Sequence, residues 1–113
     1  MGVGTIPKEL VGEAYNISTF QNGWAVNGGC FYQRIGNLGI ICCSIRNGTV
    51  SDGIKILSMP TIMKPATVAL APCINVSHNA TNGYVQINTN NDVTLYKVSS
   101  NVSVAFTLMY RCA

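Results

Sequence analysis

Charged residues are scarce in this sequence. Asp, Glu, Lys and Arg together make up 10% of the chain, whereas an average soluble domain has roughly 25%. The seven Lys and Arg residues give a net charge of +3 but are scattered along the chain. Nucleic-acid binding normally requires basic residues clustered on one face, which displace counterions from the phosphates. We therefore expect no nucleic-acid partner.

Long apolar runs are also missing. The longest has about eight residues, far fewer than the roughly 20 that a helix needs to cross a bilayer. The first residues lack the basic and then apolar order of a signal peptide, and Ile6 stands where N-myristoylation requires Ser or Thr. We therefore expect neither membrane insertion nor a lipid anchor.

The cysteines follow no recognisable metal-binding pattern. Their number is odd, and the chain has a single histidine and no C-x-x-C spacing. The five are Cys30, Cys42, Cys43, Cys73 and Cys112. Because free cysteine behaves as a small apolar side chain and is often buried, we predict a reduced protein with no metal and no cofactor. The sequence leaves open whether two of the five form a disulfide.

Residues for catalysis are equally sparse. Cys73 and His78 are the best candidates for a nucleophile and its base, but their spacing places them on opposite faces of a strand, out of hydrogen-bond reach. The acidic residues fall in the N-terminal segment and in turns, so their positions do not indicate paired-carboxylate chemistry. They are Glu9, Glu13, Asp52 and Asp92. We predict that the protein is not an enzyme.

The sequence does show apolar and polar residues alternating with a period of two, which is typical of β-strands. In the segment 102–110, for example, Val104, Phe106 and Leu108 share one face. Other such segments, with turn residues at every break, are 14–20, 30–35, 38–46, 54–58, 66–76, 83–89 and 92–96. Seven to nine short strands predict an all-β fold, an antiparallel β-sandwich or jelly-roll-like barrel with little helix. We expect residues 1–13 to form an arm or linker and 14–113 a single head domain.

Two of these segments carry further predictions. In 66–76 the larger apolar side chains share one parity, and Pro72 predicts a bend or a sheet edge because proline cannot donate to the ladder. In 38–45 the residues on both faces of the predicted strand are apolar or small. This strand should therefore have no face in contact with water. A small domain can cover one face of such a strand itself. We expect a second subunit to cover the other.

The order of features resembles the C-terminal head domain of tailed-phage tail fibres and baseplate receptor-binding proteins. The resemblance covers roughly residues 20–111 and rests on Gly36-Asn37 before an apolar strand, Gly48-Thr49, I-x-I-L-x-x-P at 54–60, Pro65, G-Y-V-Q-I and Tyr110. It implies a β head that is homotrimeric and binds saccharides on a bacterial surface without catalysis. It also implies a virion-tail location and tail or baseplate proteins bound through the N-terminus.

No sugar-binding motif transfers from that family, so candidate residues come from physical chemistry. Saccharide sites combine an aromatic ring, which stacks on the sugar, with amide or carboxylate side chains that reach its hydroxyl groups. Side chains of these types occur at predicted turns and strand ends: Trp24, His78, Asn82, Tyr84, Asn90, Asn91 and Asp92. Trp24 has an alternative role as a core or interface anchor.

The sequence therefore predicts host recognition by non-covalent binding of bacterial surface polysaccharide. One alternative is a structural virion or tail decoration module with only protein partners. Another is a secreted lectin-like glycoprotein module, since Asn16, Asn47, Asn75, Asn79 and Asn101 begin glycosylation sequons. With twelve asparagines in the chain, composition alone explains several sequons.

Overall fold

The structure, a computed structural model, describes residues 12–113. The predicted arm at 1–13 lies almost wholly outside the described residues. The strands are β1 (Ala14–Asn16), β2 (Ala25–Val26), β3 (Phe31–Ile35), β4 (Leu38–Arg46), β5 (Ile54–Ser58), β6 (Ala69–Asn75), β7 (Ala80–Ile87), β8 (Asp92–Tyr96) and β9 (Val104–Arg111), with a 3₁₀ turn at Thr61–Met63. Among these residues there is no helix long and apolar enough to cross a membrane.

The strands form one antiparallel sheet that curls back on itself. Their order is β1-β3-β4-β9-β6-β7-β8-β5, with the short β2 also paired to β4. The chain after β1 brings the two ends of this path together, because the Gln21 amide donates to the Ile56 carbonyl at 2.8 Å. The Asn22 side chain donates to the Lys55 carbonyl at 2.7 Å. The predicted all-β antiparallel fold is confirmed.

The curl gives the sheet a core side and an outer side. Alternate residues of β4 and β9 fill the core side, as the period-two pattern predicted, and Ile41, Ile45 and Leu108 are fully buried there. Tyr110 ends this row, and its hydroxyl donates to the Met63 carbonyl at 2.7 Å. This contact ties the 3₁₀ turn to the end of the last strand.

In β6, the larger apolar side chains face away from the core. Leu70 and Ile74 are exposed, whereas Cys73 is fully buried on the opposite face. Strand β6 runs between β9 and β7, but Pro72 itself has a partner only on β7. The register against β7 shifts between Pro72 and Ile74. A proline without an N–H interrupts the ladder there.

Asparagine has a backbone role that composition did not reveal. Asn22, Asn47, Asn79 and Asn91 all have positive φ angles, between 54° and 73°. Asparagine tolerates this left-handed region better than most residues with a side chain. Part of the high asparagine content therefore serves tight turns.

We predict that Gly48→Ala destabilises the protein because Trp24 packs directly on Gly48. A Cβ atom at Gly48 would overlap the indole ring of Trp24. Overpacking of this kind typically costs about 1–3 kcal/mol. Urea denaturation at one fixed protein concentration measures the loss.

Gly29→Ala is the matched control for this substitution, because a Cβ there meets nothing within 4 Å. It should change stability by less than about 0.5 kcal/mol. Equal urea midpoints for the Gly48→Ala and Gly29→Ala variants would contradict the described packing of Trp24.

Candidate functional site

The outer side of β4, β9 and β6 carries a largely apolar surface, which we call the apolar face, with Arg46 at one end and Arg111 at the other. Its members are Leu38, Ile40, Cys42 and Ser44 of β4, Ala105, Thr107 and Met109 of β9, and Leu70, Pro72 and Ile74 of β6, with Val76 just beyond. Met109 is 60% exposed and Leu70 is 57% exposed. Apolar side chains this exposed, lying together, commonly mark an interaction surface.

Strand register shows that these residues are neighbours. Ile40 lies opposite Met109, Cys42 opposite Thr107, and Ser44 opposite Ala105. Ala105 in turn lies opposite Ile74. Directly opposed residues of antiparallel strands share a face. The two sides of β4 therefore differ: Ile41 and Cys43 are buried, while Ile40 and Cys42 are half-buried in the single chain.

Two of the seven predicted site residues, Trp24 and Asn82, are buried. Trp24 is 4% exposed and packs in the core, which is the alternative role noted for it. Asn82 is 2% exposed. Its side chain donates to the carbonyls of Ser100 at 2.8 Å and Ser103 at 3.0 Å, and accepts from the Ser99 amide at 2.9 Å. Asn82 holds the loop before β9 in place.

His78 lies in the β6–β7 turn and Tyr84 lies within β7, and they differ in exposure. His78 is exposed. Tyr84 is half-buried and stacks on Tyr96 across the β7–β8 pair, with ring centroids 5.1 Å apart. One face of the Tyr84 ring is therefore occupied within the chain. His78 stays an accessible candidate.

The structure brings Asn90, Asn91 and Asp92 together at the tip of the β7–β8 hairpin. Asp92 accepts a hydrogen bond from the Ser58 hydroxyl at 2.9 Å and forms an ion pair with Lys55 at 3.2 Å. Partial burial raises the pKa of Asp92, but the bonds from Ser58, Lys55 and Asn90 together outweigh this effect and lower it. The tip is thereby fixed against β5.

The sequence did not reveal a groove at the β1–β3 end of the sheet. It has a volume of about 440 Å³ and is lined by residues from three separate segments. They are Gly12, Glu13, Tyr15, Tyr32, Arg34, Gly36, Asn37, Ile62 and Met63. Tyr15 lies opposite Tyr32, and their rings stack with centroids 5.3 Å apart. We call this cavity the tyrosine groove.

Arg34 is held rigidly within the tyrosine groove. Its Nε atom donates to the Gly36 carbonyl at 2.7 Å, and its terminal nitrogens donate to the Ile62 carbonyl at 2.8 Å and to Asn37 Oδ1 at 3.2 Å. No carboxylate among residues 12–113 forms an ion pair with it. A guanidinium has five N–H donors, so two remain for a ligand.

A second groove, of about 580 Å³, adjoins the tyrosine groove. Tyr32 lines both cavities. The second groove runs between the chain after β1 and the end of β5, and its polar side chains include Ser18, Gln21 and Ser58. Ser58 also donates to Asp92, but the predicted hairpin-tip residues do not themselves line this cavity.

Four of the five cysteines are buried, and Cys42 is half-buried on the apolar face. Burial raises the pKa of Cys73 to about 12, which disfavours its reactive thiolate form. The hydrogen bond with Cys30 and burial both raise the pKa of Cys43. All five cysteines are free. Residues 12–113 contain no group of three His, Cys, Asp or Glu side chains that could hold a metal ion.

Comparison with known proteins identifies a structural relative. No protein family model matches the sequence, and no curated protein matches it by sequence. The fold is similar to the crystal structure of the receptor binding protein (gp15) of Listeria phage PSA, with a TM-score of 0.65 and 18% sequence identity. The match covers 91% of this chain and 68% of that chain. The predicted resemblance to phage receptor-binding heads is confirmed at the level of the fold.

We predict that Asn82→Asp destabilises the protein by roughly 3 kcal/mol, although the two side chains have the same shape. A carboxylate cannot donate to the Ser100 and Ser103 carbonyls and places negative charge against them. Urea denaturation measures the effect, and Asn27→Asp at an exposed position is the control. Equal stability of the two variants would contradict the structural role of Asn82.

Proposed function

We propose that this chain is the head domain of a phage or prophage tail fibre or baseplate protein that binds bacterial surface saccharides without catalysis. The observation that supports this function is the similarity of its fold to a phage receptor binding protein over 91% of the chain. The low charge of the chain and its open grooves fit an uncharged, hydroxyl-rich ligand better than a polyanion. The head would act outside the bacterium, on the virion tail. Its N-terminus would join other tail or baseplate proteins.

We propose further that the chain assembles as a homotrimer through the apolar face. Residues 38–45 are apolar or small on both sides of β4, and the single chain buries only one side. The charged residues on the outer side, Arg46 and Arg111, lie at its two ends, so an interface over the centre of the face buries no charge without a partner. A second copy of this chain presents the same surface, and a fibre head with threefold symmetry would bring the copies together.

In the alternative function, a structural decoration module, a different tail protein would cover the apolar face. That alternative uses the same apolar surface but needs no saccharide. Binding to bacterial cells distinguishes the two functions.

We predict that Met109→Glu prevents assembly. The Met109 side chain is exposed in the single chain, so the fold tolerates glutamate there, but an interface would bury its charge without a partner. Light scattering at micromolar concentration should give the mass of three chains for the wild type and of one for the variant.

Val50→Glu is the control, because Val50 is an exposed apolar residue in the β4–β5 turn, away from the apolar face. It should remain trimeric. A wild-type mass of one chain would refute the assembly, and a trimeric Met109→Glu variant would show that the copies meet elsewhere.

The function itself is tested by incubating fluorescently labelled protein with intact Listeria cells and with other Gram-positive and Gram-negative cells. We expect the labelled protein to bind one group of cells and to be displaced by soluble wall polysaccharide from those cells. Cell binding that persists after removal of the polysaccharide would contradict the saccharide ligand. Absence of binding to every cell type would favour the decoration module.

A further inference from the structure

We infer that the tyrosine groove is the saccharide-binding site of this chain and that the polymer continues past Tyr32 into the second groove. This inference rests on the proposed function. It differs from the sequence-based candidates, because none of the seven residues predicted from sequence lines the tyrosine groove.

The aromatic part of this site is Tyr15. One face of its ring stacks on Tyr32, and the side chain is nevertheless 51% exposed. Tyr32 holds the ring in place from beneath, since Tyr32 itself packs against the core. An aromatic ring fixed in this way presents its free face to the apolar C–H face of a pyranose. Little conformational freedom is lost on binding, because the ring is already oriented.

The polar part of the site contains both donors and acceptors. The guanidinium of Arg34 is fixed by three hydrogen bonds to oxygen atoms and keeps two N–H donors free. Glu13 lines the same groove and can accept hydrogen bonds from sugar hydroxyl groups. A negatively charged ligand group would be attracted by Arg34 but repelled by Glu13. This combination favours a neutral sugar ring over an isolated phosphate.

Strand register places this site on the side of the sheet away from the apolar face. Tyr32 lies opposite Ile41, a fully buried core residue, whereas Gln33 lies opposite Ile40 of the apolar face. Tyr15 and Arg34 share the side of Tyr32, because opposed and next-but-one residues point the same way. Assembly through the apolar face therefore leaves the tyrosine groove open.

The adjoining cavity indicates a ligand longer than one sugar unit. The two grooves share one lining residue, Tyr32, and therefore adjoin there. Hydroxyl and amide side chains of Ser18, Gln21 and Ser58 line the second one. Such groups bind sugar hydroxyls without requiring charge. A linear polysaccharide fits this sequence of aromatic, charged and uncharged polar contacts.

The test measures binding of soluble wall polysaccharide, taken from cells that the wild-type protein binds, to three tyrosine variants. Tyr15→Ala removes the stacking surface and should weaken binding about tenfold, since an aromatic stacking contact is worth up to about 1.5 kcal/mol. Tyr15→Phe keeps the ring and should bind within about twofold of wild type. Tyr96→Ala removes the other stacked tyrosine pair and lies outside both grooves, so it should leave the affinity unchanged.

Thermal unfolding and light scattering confirm that each variant is folded and assembled. Arg34→Lys serves as a second probe, because it keeps the charge but loses the fixed donors, and it should also reduce affinity. If the wild type binds and both Tyr15→Ala and Arg34→Lys bind equally well, the groove assignment is overturned while the proposed function stands. If the wild type itself binds no polysaccharide, the proposed function fails first.

Discussion

The fold depends on the packing of one side of strand β4 into the core, and the proposed assembly depends on its other side. Its core side holds Ile41, Cys43 and Ile45 beneath the curled sheet. Its outer side holds Ile40 and Cys42, which the single chain leaves half-buried. Burying apolar surface contributes about 25 cal/mol of free energy per Å². Covering the outer side of β4 would therefore favour association. The pair Cys42-Cys43 is therefore a feature of packing, with one thiol on each side of the strand.

The curl of the sheet separates the two surfaces on which the proposals rest. The outer side is largely apolar across β4, β9 and β6, whereas the core side of the sheet carries the tyrosine groove, next to the second groove. The proposed function would need both kinds of surface, one for other copies of the chain and one for the host. Because the two surfaces lie on opposite sides of one sheet, the proposed assembly would leave the proposed ligand site open. The ends of the sheet supply the groove residues, and the core holds those ends together.

Much of the fold could be predicted from the sequence because local alternation reports which side of a strand is buried. The bounds of β4 and β5 agree with the predicted 38–46 and 54–58, and β9 places Val104, Phe106 and Leu108 in the core. The rule failed in β6, where the larger apolar residues mark the outer side. An outer side that is itself apolar cannot be distinguished from a core side by hydrophobicity alone.

The candidate site was harder to predict, because it is assembled from segments distant in sequence. Tyr15, Arg34 and Ile62 meet only when the sheet curls and the 3₁₀ turn packs under Tyr110. No motif links them. Trp24 and Asn82 illustrate the opposite error, since an aromatic or amide side chain near a turn can equally be buried for structural reasons. The sequence alone does not show how exposed each of these side chains is in the folded chain.

The central claim, that another copy covers the outer side of β4, is tested most directly by the reactivity of Cys42. Cys30, Cys43, Cys73 and Cys112 are buried, and Cys42 alone is half-exposed in the single chain. A maleimide added to the native wild-type protein, followed by mass spectrometry, reports which thiols are accessible. The account predicts that all five cysteines react slowly until the assembly is dissociated. Rapid labelling of one thiol per chain, at Cys42, in the native protein would contradict it.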